Sequence, residues 1–144
     1  MIKFIDQVTC DQMIEIGIKG YPFEICGLLI GTVKEYKVVE KIFECKNLNK
    51  LKPETRYEMD GKDYINGEQL AAKNHMQVLG IFHSHPDHPD MASETDRQAA
   101  WPEFSYVIMS IQNQKFFSMK SWVLNEKTMQ FQEEKIDITL TENV

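Results

Sequence analysis

The run Gly80-Ile81-Phe82-His83-Ser84-His85-Pro86-Asp87-His88-Pro89-Asp90-Met91-Ala92-Ser93-Glu94-Thr95-Asp96 decides how this chain is read. It continues the apolar segment 77–83, which has strand character, so successive side chains point to opposite faces. His83 and His85 are two residues apart and share a face. Pro86 and Pro89 rule out regular structure and make 85–92 a loop. Ser93 is a good N-cap, and Asp96 follows three residues later, where a carboxylate favours the helix dipole. The run is therefore a strand, a loop and a helix start.

The flanking sequence extends this alternation. Thr9 and Gln12 have the spacing of a capping box. The helix they open has Cys10, Met13, Ile14 and Gly17 on one face, with Gly20 as its C′ residue and Pro22 beyond. Residues 26–31 form a short apolar strand and 37–43 another. Residues 47–54 are a polar loop broken by Pro53, and 56–59 a brief strand. Asp60 caps a helix to about Met76 with Tyr64, Ile65, Ala71 and Ala72 inward, although Asn66 and Gly67 are poor helix formers. A short helix covers 93–100. Segments 105–111, 116–124 and 129–138 alternate as strands and can form a meander. Helices interspersed with strands predict an α/β fold: a single-domain α/β sandwich over 1–144 with a mixed β-sheet flanked by helices.

Composition narrows the function. The 144 residues carry a net charge of −6, and residues 83–103 alone carry −4 together with three of the four histidines. An acidic chain is a poor fit to phosphate neutralisation, so nucleic acid is not expected as a partner. Three cysteines without a Cys-x-x-Cys pair argue against a disulfide framework or a cysteine zinc site. The start meets charge too early for a signal peptide, and the apolar run 25–30 is too short to span a bilayer. A soluble, cytoplasmic protein is expected, with no membrane partner.

A His-x-His pair at a strand end is a good chelate for zinc, and Asp96 brings a carboxylate eleven residues after His85. Two histidines, a carboxylate and an open fourth position suit a hydrolytic zinc centre. The plainer alternative is surface histidines beside an ordinary helix cap. Local spacing alone leaves the two readings even.

The segment from His83 to Pro86, Ser93 and Asp96 resembles the JAMM motif of the JAB1/MPN/Mov34 metalloproteases. Pro22-Phe23-Glu24-Ile25-Cys26-Gly27-Leu28-Leu29-Ile30-Gly31 resembles that family's upstream glutamate motif, and 100–106 resembles small bacterial members. One position departs: Ala92 stands where many of those members carry proline. The resemblance implies a JAB1/MPN, cytidine-deaminase-like fold. It implies one Zn2+ held by His83, His85 and Asp96, with a catalytic water as fourth ligand. It assigns Glu24 as general base and Ser93 as hydrogen-bond donor to the oxyanion, with a helix cap as the competing role for Ser93. A zinc deaminase is excluded, because the required His-x-Glu and Pro-Cys-x-x-Cys are missing.

The implied reaction is hydrolysis of a peptide or isopeptide bond at the Gly-Gly tail of a ubiquitin-like protein. Among small stand-alone members the implied partner is a sulfur-carrier protein, from which cysteine or a short C-terminal extension is released. An isopeptidase that deconjugates a bacterial modifier is the first alternative. A non-catalytic MPN scaffold is the second, and such scaffolds usually lack the ligands present here. Residues 34–56 hold seven basic and four acidic side chains and are expected to face an acidic carrier. His88 and His75 are expected to be exposed or structural, Cys26 buried, Ser84 on the opposite strand face, and Trp101 and Trp122 in the core.

Overall fold

The computed structural model describes residues 1–138; the rest of the expected 1–144 domain lies outside them. Its elements run β1 (Ile2–Phe4), α1 (Gln7–Gly20), β2 (Cys26–Val33), β3 (Lys37–Cys45), α2 (Gly61–Lys73) and β4 (Gln77–Pro86). Then follow α3 (Glu94–Gln98), β5 (Ser105–Gln112), β6 (Lys115–Asn125), β7 (Gln130–Glu134) and β8 (Ile136–Ile138). The strands form one mixed sheet in the order β7-β6-β5-β4-β2-β3-β1-β8. This is the expected α/β architecture, and β5, β6 and β7 are the expected antiparallel meander.

The two ends of the strand order are joined by a single residue. β7 ends at Glu134, and β8 begins at Ile136 on the opposite edge. One residue spans only about 3.5 Å, so the sheet must curl until its edges nearly meet. The Met1 amine lies 3.6 Å from Glu134, and Ile2 N–H donates to Lys135 at 3.0 Å. The single expected strand 129–138 is thus two strands serving opposite edges.

Helix α1 packs against one face of this curled sheet. Cys10 and Met13 meet Leu29, Val39, Phe82, Val107, Met109 and Ile111, all buried. The opposite face carries α2, with Ala71 against Cys26, Leu28 and Ile30. Gly67 explains itself there: a Cβ would come within 2.4 Å of Leu28 Cδ1. Close approach to the sheet outweighs the poor helix propensity of glycine.

Several local expectations are corrected. Asp6, not Thr9, caps α1; its carboxylate accepts from both the amide and the hydroxyl of Thr9. Gly20 ends the helix with no positive φ, and its lack of a Cβ instead makes room for Ile25. Ile65 and Ala72 face outward, because α2 buries only the stripe through Gly67 and Ala71. Residues 56–59 reduce to an isolated bridge between Asn47 and Met59. Among the described residues, no helix is long and apolar enough to cross a membrane.

Candidate metal centre

The site sits on the α2 face, at the end of β4. Register explains why residues 59 positions apart meet there. β2 and β4 are antiparallel with Cys26 opposite His83, so continuing the pairing sets Glu24 opposite His85. Ser84 fastens this junction from the other strand face, as expected. Its hydroxyl accepts from Ile25 N–H at 3.0 Å, and its own N–H donates to Ile25 O at 3.1 Å. β4 also pairs in parallel with β5; the chain between them carries the proline loop and α3 back over this face and delivers Asp96.

The structure gathers all five expected site residues. Glu24 and His83 are buried, with 4% and 0% exposure, and Asp96 is at 9%. His83 Nδ1 lies 3.2 Å from Glu24 Oε1, and His83 Nε2 lies 3.4 Å from Asp96 Oδ1. His85 Nδ1 donates to the Pro89 carbonyl at 2.8 Å, while its Nε2 lies 3.5 Å from Asp96 Oδ2. Nδ1 of each ring is thereby engaged, and both Nε2 atoms face one carboxylate. Donor atoms of Glu24, His83 and His85 also fall within 4.8 Å of one another.

Asp96 and Ser93 form a reciprocal capping box. Ser93 N–H donates to Asp96 Oδ2 at 2.8 Å, and Asp96 N–H donates to Ser93 Oγ at 3.1 Å. The Ser93 hydroxyl therefore acts as acceptor in the cap and keeps its own proton for a further partner. Burial alone would push the Asp96 carboxyl upward. The His85 hydrogen bond, the facing His83 ring and the Ser93 N–H override it and hold Asp96 well below the usual carboxylate range. His85 is drawn down by burial but raised overall by Asp96 and the Pro89 carbonyl.

These residues fit a zinc ion. His83 Nε2 is fully buried and has no hydrogen-bond partner among the described residues, a costly state for an unengaged polar atom. Tetrahedral coordination with bonds of about 2.0–2.1 Å places ligand atoms about 3.3–3.4 Å apart. The 3.4 and 3.5 Å separations between the imidazoles and Asp96 match that spacing.

A cleft of about 520 Å³ opens over the cluster, lined by Glu24, His85, Ser93 and Asp96 among others. Two features of it were not anticipated. Tyr57 packs on His83 with ring centroids 4.6 Å apart, and burial raises its phenol well above the ordinary value. The only hint was an aromatic residue in an extended segment. Trp101, expected in the core, is 68% exposed on the cleft wall, while its backbone N–H donates to Tyr106 OH at 2.6 Å. Trp122 is buried as expected, as is Cys26, while His88 and His75 are exposed. All three cysteines are free thiols.

Residues 6–125 match the family described as prokaryotic homologs of the JAB domain. The chain is 35% identical to a desampylase of Pyrococcus furiosus over 106 residues, 72% of this chain and 69% of that protein. It superposes on a solution structure of a Desulfitobacterium hafniense protein with a TM-score of 0.83 at 29% identity, covering 100% of this chain and 95% of the other. A JAB1/MPN domain protein from Archaeoglobus fulgidus shares the fold, with a TM-score of 0.62 at 16% identity over 96% and 98% of the two chains. The chain has the JAB1/MPN fold and is a hydrolase of the JAMM type. The chain belongs to the prokaryotic JAB family.

Proposed function

We propose that this chain is a zinc-dependent peptidase acting on the C-terminal Gly-Gly tail of a ubiquitin-like sulfur-carrier protein, releasing cysteine or a short extension. The observation that carries the reading is the convergence of the His83 and His85 Nε2 atoms on Asp96, with Glu24 beside His83, under an open cleft. His83, His85 and Asp96 hold the ion. Zinc supplies Lewis acidity and makes water acidic enough to act as a nucleophile near neutral pH.

The protein's own groups do the rest. Glu24 takes the proton of the attacking water and passes it to the leaving amine. The Ser93 hydroxyl donates to the developing oxyanion, an interaction worth about 3 kcal/mol in comparable sites. Pro89 fixes the His85 ring, and Glu24 and Tyr57 fix His83. The tail docks extended across the cleft, and the basic loop carrying Lys46, Lys50 and Lys52 faces an acidic carrier body.

A second reading, deconjugation of a ubiquitin-like modifier from a protein lysine, is favoured by the Pyrococcus relative that bears the name desampylase. Two substrates offered side by side separate the readings: a ubiquitin-like protein with one residue added after Gly-Gly, and the same protein joined to a lysine side chain. Faster turnover of the first supports trimming, and of the second, deconjugation. Turnover of neither by zinc-loaded protein refutes both.

A further inference from the structure

We propose that Arg56 reads the free α-carboxylate of the leaving residue, so that the site trims a terminal residue in preference to cutting a bond to a lysine side chain. The inference rests on the hydrolase reading above and adds a specificity residue to it.

Arg56 is the one Lys or Arg among the described residues lining the cleft. It is exposed, and no carboxylate ion-pairs with it among the described residues. Glu58, two residues along the same wall, is not its partner either. The guanidinium is thus a charge held at a cleft without a counter-ion among the described residues.

Its position relative to the chemistry is set by backbone contacts. The Asn47 side-chain amide donates to both Glu24 O and Arg56 O, each at 3.0 Å. Arg56 N–H donates to Lys52 O at 2.9 Å, and the next residue, Tyr57, stacks on His83. Arg56 is therefore clipped to the strand entry that carries Glu24. Ser93 and Asp96 come from the separate α3 segment. Glu24 delivers the proton to the leaving amine, which makes its side of the cleft, and Arg56 with it, the leaving-group side.

The chemistry of the two leaving groups differs at that place. In a single C-terminal residue, a free carboxylate sits beside the scissile nitrogen, on the wall of the cleft that carries Arg56, whose planar guanidinium fork suits a carboxylate. In a lysine conjugate the scissile nitrogen is the ε-amine. The α-carboxyl then lies at the far end of the side chain and is tied up in a peptide bond, so Arg56 finds no anion.

The test uses a peptide ending in Gly-Gly-Ala, prepared as the free acid and as the C-terminal amide, with zinc-loaded enzyme. Wild type is expected to favour the acid by about tenfold in kcat/KM, the scale of one partly solvated charge-assisted contact. In Arg56→Gln the ratio falls to parity, and Arg56→Lys keeps part of it, since a point charge replaces the fork. Anisotropy with Glu24→Gln protein measures the same preference in binding, without turnover. A wild type indifferent to the two peptides, or an Arg56→Gln protein that keeps the wild-type ratio, overturns the assignment. Cleavage of neither peptide by wild type, with no acid preference in binding, removes the hydrolase reading and the Arg56 role together. An acid preference in binding without cleavage removes only the former.

Discussion

Glu24→Gln separates the two roles that the geometry allows this residue. Glu24 is buried, with Oε1 3.2 Å from His83 Nδ1. Its donor atom is also close enough to those of His83 and His85 for it to be a ligand itself. Glutamine is isosteric, and its amide oxygen can accept the same His83 N–H, so the His83 ring keeps its orientation. What disappears is the proton acceptor. Loss of a general base lowers kcat by about 10²–10⁴-fold, or about 2.7–5.5 kcal/mol in the barrier. The lost negative charge beside His83 weakens zinc as well, but changes to a ligand's hydrogen-bond partner typically cost about 10–100-fold in affinity. Protein supplied with excess zinc therefore stays loaded. Single-turnover cleavage of a Gly-Gly-Ala peptide, with zinc content measured on the same sample, gives both numbers. The expected result is a loss of at least about a hundredfold in rate with zinc retained. A rate within a few fold of wild type refutes the general-base assignment. Loss of both zinc and rate would make Glu24 a ligand and overturn the ligand set of His83, His85 and Asp96.

Two further expectations concern the fold. Trp122 is 8% exposed and its Nε1 donates to Asp90 O at 3.0 Å, so Trp122→Ala should cost about 3–5 kcal/mol in urea unfolding. Trp101→Ala should stay within about 0.5 kcal/mol; equal losses would contradict their opposite placements. Burial, helped by neighbouring carboxylates, raises Cys10 to about 11 and Cys45 to about 12, with Cys26 higher still. The unfolded chain releases these protons near the ordinary thiol value of 9.0, before the folded protein does. Stability from the protonated thiols is thus complete below about pH 9 and declines as pH rises toward the folded values. A urea midpoint that stays flat to about pH 10.5 would count against that burial.

The local parts of the site were legible because they are short-range. His-x-His spacing needs only strand alternation, and Ser93 with Asp96 needs only the first turn of a helix. Glu24 was not legible from spacing, because its meeting with His83 depends on the β2–β4 register and came to notice only through the resemblance. The cap of α1 was ambiguous for a physical reason. Asp6 and Thr9 both carry capping oxygens, and pattern alone does not choose between them. The alternating run 129–138 hid the crossing at Lys135, since β7 and β8 have the same local period and differ only in the edge they serve. Trp101 lies outward and not in the core, and Tyr57, within a segment read only as a brief strand, packs against the site. Their partners, Tyr106 and His83, are distant in sequence or unremarkable within it.

The central claim is a zinc ion on His83, His85 and Asp96, and metal content tests it most directly. Protein purified without chelator and analysed by plasma mass spectrometry should carry about one zinc per chain. His83→Ala and Asp96→Asn should each carry little, while their circular dichroism stays that of a folded chain. Less than about a tenth of an equivalent in the wild type, unchanged after incubation with zinc, would contradict the account.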